Sequence, residues 1–310
     1  MCRCLGLPAI LLLAIGVPRQ AAASPLAYEG FQYAVGTTLP TMAGGFGWDP
    51  SQPWTGSTQM SAQSPTLAYP AALSSTGNTL SNAAAGEGWR FFSAPFNNAV
   101  NDLWISFMEE STAAAPGAFV DIMPTSGTDI QVNKDGFGAI SLNGAAAGFS
   151  AGIGSVDFFV VQLTQFTGVT WVNLFVDPGA VLGPPSASFP ISTVFALNEF
   201  YYRSNLGELL DEIRVGTTPQ DAADVTLPSP TLTISNSAPG QVTISWPEYL
   251  TGYSLQEKTN LTQPSWVASP TGSTNPAVIE AVGSQKFYEL EKSSGRIVLA
   301  AGAAPVPNPR

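Results

Sequence analysis

Between residues 28 and 216 the chain repeats one pattern. Short runs alternate apolar and polar residues, and Gly, Pro, Asn and Ser separate them. A period of two marks a β-strand with one face buried. Residues 103–109 (LWISFME) set Leu103, Ile105 and Phe107 against Trp104, Ser106 and Met108. Strands are predicted at 66–69, 89–92, 103–109, 118–123, 130–133, 137–143, 157–165, 170–177, 195–203 and 210–216. Runs 157–165 (DFFVVQLTQ) and 170–177 (TWVNLFVD) are nearly apolar on both faces, which predicts central strands with cover on both sides. Asp177, Pro178 and Gly179 then supply a turn. The stretch 209–218 (LLDEIRVGTT) is predicted to be the last strand of a large sandwich, with the upstream strands packed around it. Its Ile213 and Val215 alternate with Glu212 and Arg214, and Gly216 ends it. No stretch carries a sustained 3.6-residue period with caps. Many short strands and few helices predict an all-β fold, a two-sheet jelly-roll β-sandwich.

The pattern changes after residue 224. Residues 225–230, with Pro228 and Pro230, read as a linker, and shorter runs follow at 232–235, 241–246, 253–258, 265–268 and 286–290. Val242, Ile244 and Trp246 share one face there. A second, smaller β-sandwich over 231–292 is predicted, with Trp246 and Trp266 filling its core. The Ala- and Pro-rich end, 293–310, reads as a loose tail. At the other terminus Arg3, an apolar run from Leu5 to Val17, and Ala21, Ala22 and Ala23 have the form of a secretory signal peptide cleaved near residue 23. That run is too short to cross a bilayer comfortably. The expected order is a leader (1–23), a large sandwich (24–224), a linker (225–230), a small sandwich (231–292) and a tail (293–310). The expected address is the cell surface or the medium, with no membrane span in the mature chain.

Composition narrows the chemistry. The chain is 45% apolar and only 11% charged, so solubility rests on Ser, Thr, Asn, Gln and Gly. It carries 11 basic and 22 acidic residues, a net charge of −11, and cleavage removes Arg3 and Arg19. Such a surface repels phosphate backbones and anionic lipid, so nucleic acid is not an expected partner. There is no histidine, which removes Ser-His-Asp triads, Cys-His dyads and histidine metal ligands together. The only cysteines, Cys2 and Cys4, lie in the leader.

Two groups of residues carry a resemblance. Tyr28-Glu29-Gly30-Phe31 with Gly44-Gly45-Phe46-Gly47-Trp48, and DEIRVGTT at 211–218, resemble secreted bacterial proteins of the concanavalin A-like, LamG-type jelly-roll class. The similarity runs over 28–224 and includes the strand pair around Trp171. QVTISW at 241–246, YSLQ at 253–256, Thr259-Asn260-Leu261 and Trp266 resemble a fibronectin type III-like module found at the ends of such proteins. The resemblance implies fold more than activity: the class holds lectins, glycan-binding modules, adhesion domains and some glycosidases.

Glycosidases of that class space carboxylates along one strand face, as in Glu-x-Asp-x-x-Glu. Asp211-Glu212 lacks the third acid, and Glu109-Glu110 would point to opposite faces. No catalytic set is therefore assigned, although acids distant in sequence remain open. Alternation puts Asp211 on the face of Ile213 and Val215, where it either caps a loop through backbone donors or serves a structural Ca²⁺. Asp129, Asn133 and Asp135 before Gly136 offer oxygen ligands but not the spacing of an EF-hand loop, and a hairpin turn explains 133–136 more simply. No other cofactor is expected. Trp48, Trp54, Tyr201 and Tyr202 are candidates for an aromatic sugar platform; the competing role for Trp48 and Trp54 is to pin the N-terminal segment across the sandwich. Asn260-Leu261-Thr262 matches a glycosylation sequon and equally a turn. Three functions fit: a non-catalytic binder of polysaccharide or cell-surface glycan, a carbohydrate-active enzyme with dispersed carboxylates, and a purely structural surface component.

Overall fold

The computed structural model describes residues 24–292 except 70–74, 76, 100–101, 114–116, 167–168, 192–193, 239, 248–249, 251 and 281–285. The expected leader and tail lie outside the described residues. In chain order the first strands are β1 (Ala27–Glu29), β2 (Thr55–Gly56), β3 (Met60–Gln63), β4 (Thr79–Asn82), β5 (Gly86–Asn97), β6 (Leu103–Ser111), β7 (Ala118–Pro124) and β8 (Ile130–Lys134). They continue as β9 (Ala139–Leu142), β10 (Ala145–Phe149), β11 (Val156–Phe166), β12 (Val169–Val176), β13 (Ala187–Ile191), β14 (Ala196–Ser204) and β15 (Glu208–Gly216). A short helix, α1 (Pro219–Ala223), follows. The fold is all-β, as alternation predicts. An eight-stranded sheet runs β13-β12-β11-β6-β15-β4-β3 with β1 added beside β15, and a seven-stranded sheet runs β10-β9-β8-β7-β14-β5-β2.

The main core fills the space between these sheets. Ile105, Phe107, Phe159, Val161, Leu174, Ile213 and Val215 from one sheet meet Val120, Ile122, Val132, Leu142, Phe200 and Tyr202 from the other. A second cluster lies on the outer face of the eight-stranded sheet. There Trp104, Met108, Phe158, Val160 and Phe175 are covered by Leu67, Leu182, Ala222, Ala223 and Val225, of which Ala222 and Ala223 belong to α1. β11, and β12 beyond the exposed Trp171, are thus buried on both faces, which is why their sequences lack alternation. The seven-stranded sheet has no such second cluster among the described residues, and its outer face is where a ligand could sit.

β15 is the hub of the larger sheet. Along one edge it pairs with β6; along the other, Leu209 and Leu210 pair with β4 and Ile213 to Val215 with β1. Between these halves lies a bulge: Asp211 pairs with Met108, yet Arg214 pairs with Ser106. Glu212 supplies the extra residue with φ of 53°. A bulge inverts strand parity beyond it, so Leu210 and Ile213 both face the main core. Asp211 does not share the face of Ile213 and Val215, in contrast to simple alternation.

The N-terminal segment is held by a buried ion pair. Arg90 points inward from β5 and its Nη1 lies 2.8 Å from Glu29 Oε2, both side chains 1% exposed. Glu29 also accepts from the Phe31 N–H (3.0 Å), the Tyr33 hydroxyl (3.0 Å) and the Trp54 indole N–H (3.3 Å). The Arg90 guanidinium donates further to the Gly44 carbonyl and lies over the Trp48 ring.

Residues 233–292 form two three-stranded sheets from β16 (Thr233–Ala238), β17 (Gln241–Ser245), β18 (Tyr253–Lys258), β19 (Val267–Ala268), β20 (Ala277–Glu280) and β21 (Phe287–Lys292). The orders are β16-β17-β20 and β19-β18-β21. Ile244, Trp246, Leu255, Ala277 and Ile279 form a hydrophobic cluster of their own. Trp246 is buried in it, but Trp266 is half-buried, with Lys258 Nζ 4.7 Å from its ring centre. Trp266 precedes a two-residue edge strand exposed at both positions, so it does not plug the core.

Two mutations probe this frame. Replacing Arg90 with Met leaves the enclosed Glu29 carboxyl without its cation, and should cost about 3–5 kcal/mol in urea unfolding, with part recovered by Glu29→Gln in the same chain. At Gly216 an added Cβ would lie 2.5 Å from Asp221 Cβ on α1. Gly216→Val should therefore cost roughly 1–3 kcal/mol, with near-wild-type stability contradicting the close docking of α1.

Candidate functional site

Strand register builds the open face of the seven-stranded sheet. Trp89 on β5 pairs with Tyr201 on β14, which pairs with Asp121 on β7, which pairs with Gln131 on β8. One row along, Glu87, Arg203, Phe119 and Asn133 stand side by side in the same strand order. Alternation sends all of these away from the main core, because Arg90, Phe200, Tyr202 and Val120 between them point inward. Trp89, Tyr201 and Phe119 are half-buried, while Glu87 and Arg203 are exposed.

These side chains order one another. The Trp89 and Tyr201 rings stack at 6.4 Å between centroids and 25° between planes. Phe119 meets Tyr201 edge-on at 6.4 Å. The Arg203 guanidinium lies 5.2 Å from the Phe119 ring centre. The Tyr201 hydroxyl donates to Glu87 Oε2 at 2.7 Å; burial first, then that carboxylate, pushes the phenol up to about 12. An open cavity of about 820 Å³ covers this end of the face, lined by Thr55, Glu87, Trp89, Phe119, Asn133 and Arg203 among others. That volume lies within the usual range for small-ligand sites.

Acids occupy the next part of the same face. Asp121 is buried, and its Oδ1 has no hydrogen-bond partner among the described residues. Burial, reinforced by the charges of Asp129 and Glu199, pushes its carboxyl up to about 6. Glu199 is raised as well, by burial and then by Asp129.

The sequence-derived candidates fall in different places. Trp48 and Trp54 are 4% and 1% exposed, so neither offers a ring to a sugar. Trp48 stacks on Phe92 at 4.5 Å and donates its indole N–H to the Tyr28 carbonyl; Trp54 donates to Glu29. Both tie the N-terminal segment across the sandwich, and the platform reading for them is corrected. Tyr201 lies on the open face. Tyr202, its neighbour on the strand, is 1% exposed inside the core and is not available to a ligand.

The oxygen ligands are likewise scattered. Asp135 Oδ1 accepts from the Phe137 and Ala139 N–H groups within the β8–β9 turn. Asn133 faces the cavity, and the Asp129 carbonyl accepts from the Asn143 amide. Asp211 belongs to the other sheet, where it accepts from the Thr66 hydroxyl (2.7 Å) and the Leu67 and Glu212 N–H groups. Among the described residues no group of three or more His, Cys, Asp or Glu side chains is placed to hold a metal ion. Nor is any helix among them long and apolar enough to cross a membrane.

Trp89, Phe119, Glu87 and Arg203 were not among the sequence candidates. Their signal is parity: once Arg90 is known to face inward, Trp89 must face out.

No family model matches this chain, and no curated protein does. Among solved structures it is similar to lectin II from Ulex europaeus (13% identity, TM-score 0.36, covering 62% of this chain and 99% of that one). A glycosyl hydrolase family protein from Mycobacterium fortuitum gives 11% identity and a TM-score of 0.38 over 62% of this chain and all (100%) of that one. An endo-1,3-beta-glucanase from Streptomyces sioyaensis gives 10% and 0.37 over 65% and 98%. Likeness at this level assigns no function.

The raised acid has a testable consequence. Asp121 keeps its proton in the folded chain up to about 6, against 3.8 for the ordinary carboxyl. The folded state then binds more protons than the unfolded state across that window, so stability falls as pH rises through it. Denaturation midpoints measured from pH 4 to pH 7 should decline less in Asp121→Asn than in the wild type. Parallel curves would show that Asp121 titrates as a solvated carboxyl.

Proposed function

We propose that this chain is an exported, non-catalytic carbohydrate-binding protein whose polysaccharide or cell-surface glycan lies across the open face of the seven-stranded sheet. The observation that carries the reading is the partly exposed run of Trp89, Tyr201 and Phe119 across three adjacent strands, flanked by Glu87, Arg203 and Asn133. Aromatic faces take the apolar face of a pyranose, and the carboxylate, guanidinium and amide around them take its hydroxyls. Export rests on the leader-like residues 1–23, and the strands over 233–292 serve as a fibronectin type III-like spacer or attachment unit.

A second reading has one observation in its favour. Asp121 keeps its proton up to about 6, with Asp129 and Glu199 close enough to raise it, and a carboxyl of raised pKa beside a second carboxyl is the pairing glycoside hydrolysis uses. One experiment separates the two. The protein is mixed with a panel of soluble and insoluble polysaccharides, and depletion and released reducing ends are followed together. The binding reading predicts depletion without release, weakened tenfold or more by Trp89→Ala and by Tyr201→Ala, about 1.4 kcal/mol each. Undiminished binding in both variants would remove the platform. Release of reducing ends that disappears in Asp121→Asn would transfer the assignment to the enzyme.

A further inference from the structure

At one end of the main core the apolar filling gives way to charge. β11, β6 and β15 are neighbours in the eight-stranded sheet, and Asp157, Glu109 and Glu208 point inward from them. Asp157 and Glu109 are directly paired across β11 and β6. Lys134 enters from β8 of the opposite sheet. Its Nζ lies 3.3 Å from Asp157 Oδ2, 3.2 Å from Glu208 Oε2 and 3.5 Å from Glu109 Oε2, and no side chain of the four is more than 3% exposed.

The three acids are differently placed. Glu208 accepts from the Ser111 hydroxyl at 2.9 and 3.1 Å and from the Gly117 N–H at 2.9 Å, which fixes the position of its carboxyl group. Burial pushes Glu109 up to about 7 against the pull of Lys134. Asp157 has one buried oxygen, Oδ1, with no hydrogen-bond partner among the described residues. An enclosed carboxylate oxygen without a donor is costly, and Nζ already meets this carboxylate through Oδ2 at 3.3 Å.

We propose that Lys134 and Asp157 are joined by an isopeptide bond from Nζ to Cγ, formed within the folded chain with Glu109 as proton relay. Burial lowers the Lys134 amine, but Glu109, Glu208 and Asp157 together raise it above its ordinary value, so the ammonium must first give a proton to Asp157 Oδ2, which leaves a neutral amine and a neutral acid. The Nζ lone pair attacks Cγ and the Cγ–Oδ2 bond breaks. Glu109 donates its own proton to the departing oxygen and takes one from Nζ. The ammonium and carboxylate become an amide and one water, so no oxidant or cofactor is needed. The product turns the unpartnered Oδ1 from a carboxylate oxygen into a neutral amide carbonyl, and its amide N–H can donate to Glu208. It ties the two sheets together covalently.

Peptide mapping decides the matter, because Lys134 is the only Lys or Arg between Arg90 and Arg203. Trypsin does not cut after an acylated lysine. The full chain, denatured and digested, should yield an uncut peptide 91–203 that is lighter than its sequence by one water. Glu109→Gln, folded by circular dichroism, should instead yield 91–134 and 135–203 at full mass. Lys134→Met should restore the missing water to 91–203. Cleavage of the wild type at Lys134, with both peptides at full mass, would overturn the bond. A mass deficit that survives in Glu109→Gln would overturn the relay.

Discussion

The ion pair of Arg90 with Glu29 decides which side of β5 faces water. A strand has two faces, and a shift of one residue exchanges them. Arg90 points inward because Glu29 waits there, itself held by Phe31, Tyr33 and Trp54. Its neighbours Trp89 and Phe91 must then face out. β14 follows in register, which turns Tyr201 and Arg203 outward, and β7 follows β14, which does the same for Phe119 and Asp121. Buried pairs contribute little net stability against a well-packed apolar alternative; their better-attested role is to specify register. Here that register sets the composition of the open face.

The two sheets divide the work. The eight-stranded sheet is covered on both sides, by the main core and by α1 with its flanking segments. Each large side chain so enclosed contributes about 1.5–3 kcal/mol, and Trp104, Phe158 and Phe175 are the largest on the outer side. That anchorage leaves the seven-stranded sheet free to keep its outer face open. The cavity over Trp89 and Phe119 is built on strands of this sheet together with the turns at their ends, such as Asp135 and Gly136 after β8.

Much of the fold is legible in the sequence because burial writes itself as alternation. β6, β7, β8, β11, β12, β14 and β15 lie where the pattern places them, within a residue or two at each end. The strands that escape notice are short and weakly patterned: β4 is TLSN, β10 is AAAGF, and β13 carries Pro190 at the sheet edge, where proline is tolerated. The predicted strand at 66–69 is instead a covering segment, with Leu67 packed on the outer face of the larger sheet. The candidate site is less legible, for two physical reasons. A lone arginine reads as a solvent-facing residue, so Arg90 masks Trp89; its partner lies 61 residues away. A bulge has no signature in alternation, so Asp211 reads as facing the core when Glu212 at φ 53° has already turned it to the other side.

Trp89 must both face out and meet the ligand, and tryptophan footprinting tests the two at once. Limited indole oxidation, located by mass spectrometry, should mark half-buried Trp89 early and spare Trp48, Trp54 and Trp104, which are no more than 4% exposed. With a saturating bound polysaccharide, protection should fall on Trp89 while Trp171, exposed on the other sheet, stays reactive. Protection of Trp171 instead, or oxidation of Trp48 and Trp54 ahead of Trp89, would contradict the account.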